Sequence, residues 1–185
     1  MRRLCACRGF TLLELVLVTA IIAILVKAGA PVVVGSLNAY AMTTDLAATS
    51  DRLRYASDRM AFEIRELSAG SITAMSASAL TFSRVDYAGA TTSRTVTIDQ
   101  SAPGNGQCNG TARLSYDTPA MTPVAGYRPV LTDSMCSLAF AYYDQAGLST
   151  LVAANVRQVE YTLAVKSGAT GQIYSQRTRV ALRNR

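Results

Sequence analysis

Glu14 is the residue of this sequence best placed to do chemistry. It is a carboxylate five residues into an otherwise apolar run, FTLLELVLVTAIIAILVKAGAPVVV, from Phe10 to Val34. A lone ionisable group in such a helix costs about 2.5–3.5 kcal/mol near a bilayer centre, so it calls for a partner. No base follows within two helical turns, and the next is Lys27. The partner therefore comes from another chain, or from a new amine made by cutting the chain ahead of the run. Other chemistry is thinly supplied. The sequence has no histidine, which removes Ser-His-Asp and Cys-His nucleophile systems and weakens most zinc sites. No phosphate-cradling glycine loop or paired-carboxylate motif is present, and Asp117, Asp133 and Asp144 lack the spacing of a calcium loop, so turn capping is their expected role. No catalytic, cofactor-binding or metal-ligating residue is expected, and no enzyme.

The elements that position Glu14 are a short basic segment and a long helix. Residues 1–9, MRRLCACRG, carry Arg2, Arg3 and Arg8 and no acid. Phe10 to Val34 is 25 residues, about 37 Å as helix, against a hydrocarbon core of ~30 Å. The arginines ahead of the span predict a cytoplasmic N-terminus and an outer, periplasmic C-terminal part. An ordinary secretory signal should show a small-residue cleavage site after a short apolar core, and here no such site follows. Lys27, in the outer half of the span, is expected to snorkel to the interface. Gly29, Pro31 and Gly35 mark a softened or kinked stretch, because proline removes a backbone bond and glycine lowers helix propensity.

The stretch Gly9-Phe10-Thr11-Leu12-Leu13-Glu14 resembles the class III signal of type IV pilins and pseudopilins: a basic leader, a glycine, then Phe-Thr-Leu-x-Glu opening an apolar helix. The resemblance extends to Pro31, the twenty-second residue of a chain starting at Phe10, where that family commonly has a helix-kinking proline. It implies that prepilin peptidase cuts between Gly9 and Phe10 and methylates the new amine of Phe10. It also implies that Glu14 pairs with the N-terminal amine of a neighbouring subunit, and that an inner-membrane protein passes into a pilus or pseudopilus through an assembly platform. DRLRYASDRMAFEIREL, ALTFSRVDY, LAFAYYDQAG and the ending RVALRNR are similar to larger minor pilins of the PilW-like kind and to the J-type minor pseudopilin. Glu14 argues against the K-type capping pseudopilin, which lacks that carboxylate.

Cys5 and Cys7 would leave with the leader. Cys108 and Cys136 lie in the part placed outside, where an oxidising compartment favours one disulfide over two free thiols. The segment between them carries Pro119, Pro123, Gly126 and Pro129 and looks irregular. From Ser36 to Leu67 apolar or small residues recur at Leu37, Tyr40, Ala41, Leu46, Leu53, Ala56, Met60, Ile64 and Leu67. This is the period of an amphipathic helix whose stripe packs on the domain, with Glu63 among the charges read as mostly off it. Arg54 with Asp58 and Arg59 with Glu63 are helix-spaced pairs, and Gly70 is a stop signal. Runs at Leu80–Tyr87, Thr92–Asp99, Thr111–Tyr116, Leu138–Tyr143, Val156–Val165 and Ile173–Leu182 read as strands, joined by turn-like AGA, PGNGQ, DQAG and KSGATG.

The expected organisation is a leader at 1–9, a transmembrane and assembly helix at 10–34, an amphipathic continuation at 35–70, and a β-rich head at 71–185. The fold class is α+β, a long N-terminal helix packed on an antiparallel sheet. The function that fits is a minor pilin-like subunit that assembles into or primes a type IV pilus. The alternatives are a type II secretion minor pseudopilin, or an anchored extracytoplasmic binding module that never polymerises. Without the leader, fifteen basic and twelve acidic side chains leave +3. Arg177, Arg179, Arg183 and Arg185 cluster at the end of the chain, read as a solvated or protected edge. Their charge is compatible with DNA contact, although no nucleic-acid motif accompanies it. The expected partners are prepilin peptidase, other pilin or pseudopilin subunits, the assembly platform, and membrane lipid before assembly.

Overall fold

The structure is a computed structural model that describes residues 10–67, 70–85, 93–101, 103, 107–117 and 130–183. Its first element is one helix, α1, from Leu12 to Arg65. Thr11 caps it: its Oγ1 accepts the N–H of Glu14 at 3.3 Å, and its carbonyl accepts the N–H of Leu15 at 3.2 Å. Leucines, alanines and, farther along, Arg, Glu and Met favour the helix despite its β-branched Val and Ile residues, and the hydroxyls along it turn inward on the backbone. Thr19 bonds to the Val16 carbonyl at 2.9 Å and Ser36 to that of Val32 at 2.8 Å, so neither presents an unpaired donor. Pro31 has no N–H to give the carbonyl one turn back, yet the helix continues through it. The chain divides into two compact units, residues 1–44 and 45–185. In the first, the α1 side chains are exposed from Leu12 to Thr44.

The second unit contains the rest of α1 and seven strands: β1 (Ile72–Met75), β2 (Leu80–Val85), β3 (Ser93–Ser101), β4 (Gly110–Asp117), β5 (Val130–Tyr143), β6 (Gln158–Lys166) and β7 (Ile173–Ala181). They form one curled sheet in the order β1-β2-β3-β4-β5-β6-β7, with every neighbouring pair antiparallel. The expected α+β class and all six expected strands are present. β1 was not expected, and β5 begins at Val130 rather than Leu138. Residues 86, 87 and 92, expected in strands, lie outside the described residues.

Strand periodicity explains which side chains meet the helix. Along β6, Val159, Tyr161, Leu163 and Val165 face α1, and with Leu80, Phe82, Val96, Ile98 and Leu114 of β2–β4 they form the core against Leu53, Ala56, Met60, Ile64 and Leu67. Each fully buried Leu, Ile or Phe contributes about 1.5–3 kcal/mol. The apolar stripe expected from Leu37 onward is buried only from Leu53; Leu37, Tyr40 and Leu46 are exposed.

Glu63 corrects the charge pattern read from the sequence, because it is 0% exposed. Arg84 of β2 meets its Oε2 at 2.7 Å, and Arg59 meets Oε1 at 2.9 Å. Tyr116 of β4 donates to Oε1 at 2.6 Å and accepts a bond from Arg59. Burial first, then the bond to Glu63, pushes the Tyr116 phenol up to about 12. A second tyrosine, Tyr161, donates to the Ser57 carbonyl of α1 at 2.6 Å. At the start of the unit, Asp45 accepts bonds from the Ser167 hydroxyl and from the Ala169 N–H, the latter at 3.2 Å, tying α1 to the β6–β7 turn. The Ser167 bond is the main cause holding its carboxyl below the usual aspartate value.

Candidate functional site

The residues singled out from the sequence fall into two places. Gly9 lies outside the described residues, so the structure speaks to the junction only from Phe10 onward. Phe10 and Thr11 precede the first helical residue, and Glu14 stands in the first turn of α1. Pro31 lies farther along the same helix, and Cys108 and Cys136 belong to the second unit.

Local chemistry builds the N-terminal site. Thr11-Leu12-Leu13-Glu14 is a T-x-x-E capping box in sequence, with the cap hydroxyl satisfying the N–H of its third helical residue. The box fixes where the helix begins and so places Glu14 in its first turn. The first N–H groups of a helix have no internal acceptor, and the macrodipole makes that end positive. An α-amine at Phe10 would add a further positive charge beside it. A carboxylate close to this end is favoured on both counts, and Glu14 is the acidic residue of the first turn.

The surroundings of Glu14 are apolar and open. Leu12, Leu13, Leu15, Val16, Leu17 and Val18 are exposed, as are the large aliphatic residues of this unit onward to Val34. Glu14 is itself exposed and, among the described residues, has no ion-pair partner. The helix is long and apolar enough to cross a membrane, and its most apolar stretch has no residue buried within the chain. Such a surface needs lipid or other helices to cover it. In that environment a carboxylate paired with an amine is attracted far more strongly than in water, and an unpaired one is penalised.

The second place is structural. Cys108 and Cys136 form a disulfide spanning 28 positions, which joins the approach to β4 to the middle of β5. Around it the ladder is irregular. The β5 register slips between Met135 and Ser137, and Ser134 has a φ of 55°, a left-handed conformation unusual for a non-glycine residue. At Gly110 a Cβ would lie 2.7 Å from the Ser101 carbonyl oxygen, so only glycine lets β3, β4 and β5 approach this closely. Among the described residues no group of three or more Cys, Asp or Glu side chains converges as a metal cluster would require.

The basic side chains near the end of the chain are largely engaged. Arg177 and Arg179 share Glu160 at 2.7 and 3.7 Å, Arg179 stacks on Tyr143, and Arg183 meets Glu66 at 3.5 Å. Arg185 lies outside the described residues.

Residues 4–26 match the family model of the prokaryotic N-terminal methylation motif. The match covers the end of the basic segment, the Gly9–Phe10 junction, Glu14 and the apolar run as far as Val26, and it is consistent with a type IV pilin-like protein processed by prepilin peptidase. No curated protein and no solved structure matches the chain.

Proposed function

We propose that this protein is a minor pilin-like structural subunit. Prepilin peptidase cuts it between Gly9 and Phe10 and methylates the Phe10 amine, after which it assembles into, or primes, a type IV pilus. It performs no catalysis of its own. One observation carries the reading: the methylation motif at residues 4–26 opens a bare apolar helix whose fifth residue after the cut is Glu14.

The proposed mechanism follows from charge and geometry. Before assembly the apolar part of α1 sits in the inner membrane, with the N-terminus cytoplasmic and the second unit periplasmic. Cutting replaces a neutral peptide group with an amine, and methylation leaves that amine able to carry its proton. The amine of one subunit and Glu14 of the next satisfy each other at one axial stagger, because sliding the helices by a turn separates the charges by ~5.4 Å. Repetition of that contact is head-to-tail, and it produces an open filament rather than a ring.

Mass spectrometry of the N-terminal peptide from membranes and from sheared surface filaments tests the reading. The expected species begins at methylated Phe10 and occurs in both fractions. A chain beginning at Met1 in cells with active prepilin peptidase would overturn the proposal.

A further inference from the structure

The sheet has two outer strands, and they are finished differently. β1 is four residues long, and its register slips between Ile72 and Ala74. The turn that follows it is tied to β5: Phe140 donates its N–H to the Ala77 carbonyl at 2.8 Å, and the Tyr142 hydroxyl donates to the Ser76 carbonyl at 2.8 Å. A short, bulged strand is a poor template for further pairing. β7, at the other end of the strand order, has nine residues and pairs with β6 without a slip from Ile173 to Ala181. It contains neither proline nor lysine.

The ladder fixes which way the β7 backbone points. Just before it begins, Ser167 donates its N–H to the Gln172 carbonyl at 2.8 Å, and just beyond its end Leu182 donates to the Arg157 carbonyl at 2.9 Å. Both bonds keep the register of the ladder between them, in which Lys166 faces Ile173 and Gln158 faces Ala181. Bonded pairs alternate with non-bonded pairs in antiparallel strands. The even-numbered residues of β7 therefore bond to β6, and Ile173, Ser175, Arg177, Arg179 and Ala181 turn their N–H and C=O groups away from it. All five are exposed, and among the described residues nothing bonds to those groups. The Thr178 hydroxyl meets that of Ser57 on α1 at 3.1 Å, so the open row carries its side chains on the face away from the helix.

Charged side chains on an edge can fend off a further strand by reaching past it. Here they reach the other way. Arg177 meets Glu160 of β6 at 2.7 Å, and Arg179 meets it at 3.7 Å while lying over the Tyr143 ring. Both guanidinium groups are folded back over the sheet, and the backbone edge is left clear. Two arginines share one carboxylate, and Lys166 on the same face is exposed and, among the described residues, has no ionic partner. The face beside the open edge therefore carries surplus positive charge.

We propose that the open edge of β7 accepts an extended segment of a different protein as an eighth, antiparallel strand, and that this segment carries acidic side chains two positions apart. Backbone bonds to the five outward residues supply the affinity. The acidic side chains stand opposite Arg177 and Arg179 and supply the choice of partner. In such a pair the acidic residues are also the ones whose N–H groups face β7. A second copy of this chain is disfavoured: pairing β7 with β7 about its centre sets Arg177 against Arg177 or Arg179, and like charges directly opposite repel. The site lies wholly within the unit formed by residues 45–185, so it does not depend on the filament reading.

The test uses the full chain in detergent micelles and a labelled synthetic strand of about seven residues, alternating valine and threonine, with glutamate at two successive threonine positions. Binding is read by fluorescence anisotropy and by residue-resolved amide exchange. Without the peptide, the amides of Ile173, Ser175, Arg177, Arg179 and Ala181 should exchange freely while those between them are protected; with it, the five become protected. N-methylating both glutamates should weaken binding more than about tenfold, the net worth of two backbone hydrogen bonds. Ser175→Pro removes an outward N–H and no bond to β6, so the chain should stay folded and lose the peptide. Arg177→Gln should lower affinity for the glutamate peptide and leave that for its all-threonine counterpart unchanged. Absence of binding, binding that ignores N-methylation, or protection at other amides overturns the proposal. So does protection of the five amides in the chain alone, which a second copy at the edge would produce.

Discussion

Glu14 and Glu63 are carboxylates on one helix, and their surroundings give them opposite roles. Glu63 is fully buried with two arginines and a tyrosine around it, so its charge is spent inside the fold. Glu63→Gln keeps the shape but strips the counter-charge from Arg84 and Arg59. Because both arginines keep some access to water, the expected loss is about 2–3 kcal/mol, below that of a fully buried pair. Chemical denaturation of the wild-type and variant chains measures it directly. Glu14 is exposed and acidic on an apolar surface, so under the proposed filament reading its energy is realised between subunits. Glu14→Gln should leave cleavage and methylation at Phe10 unchanged while lowering recovery in sheared filaments by at least about tenfold, as loss of a desolvated ion pair requires. Glu14 was legible because it is the one carboxylate in a long apolar run. Glu63 was missed because its neighbours are charged too, although Ala56, Met60, Glu63 and Leu67 follow the four-three-four spacing of a buried face.

At the scale of elements, the least regular place in the sheet is where β4 meets β5. Gly110→Ala would push a methyl group onto the Ser101 carbonyl, at an expected cost of about 1–3 kcal/mol. Ser134→Gly relieves a left-handed residue and should stabilise the chain by about 0.5 kcal/mol after the extra freedom of the unfolded glycine is counted. Thermal melts of the two variants should therefore move in opposite directions. Removing the disulfide with Cys108→Ser and Cys136→Ser together should cost about 3–4 kcal/mol by the loop-entropy estimate, read by denaturation with and without reductant. The same region limited what could be read in advance. Thr132-Asp133-Ser134 carries turn residues, so the first half of β5 looked like a loop, and a bulge with a left-handed serine lets it pair nonetheless. β1 has only four residues, too few for alternation to stand out, and it is held by β2 and by the Tyr142 hydroxyl on the turn at Ser76. The later strands were visible because each alternates over a longer run and ends in glycine or a polar turn.

At the scale of the whole molecule, three tyrosines fasten separate parts together. Tyr116 reaches Glu63, Tyr161 reaches Ser57, and Tyr142 reaches Ser76. Burial pushes all three phenols up, Tyr116 to about 12. The folded form holds these protons more tightly than the unfolded chain does, so their contribution is complete below the ordinary tyrosine value near 10. It is lost progressively as pH rises from about 10 toward 12. Phenolate absorbance followed alongside unfolding should show exposed tyrosines ionising first and these three only as the fold gives way. The strand order has a consequence for biogenesis. Each strand after β1 hydrogen-bonds to the one made just before it, so in the proposed topology, with a cytoplasmic N-terminus, a head threaded outward behind its anchoring helix finds each partner strand already outside. The sheet can grow one hairpin at a time on a helix that is already in place. The clasp from Thr178 to Ser57, 121 positions apart, becomes available only with the last strand, so arrival of the C-terminus marks completion of the head.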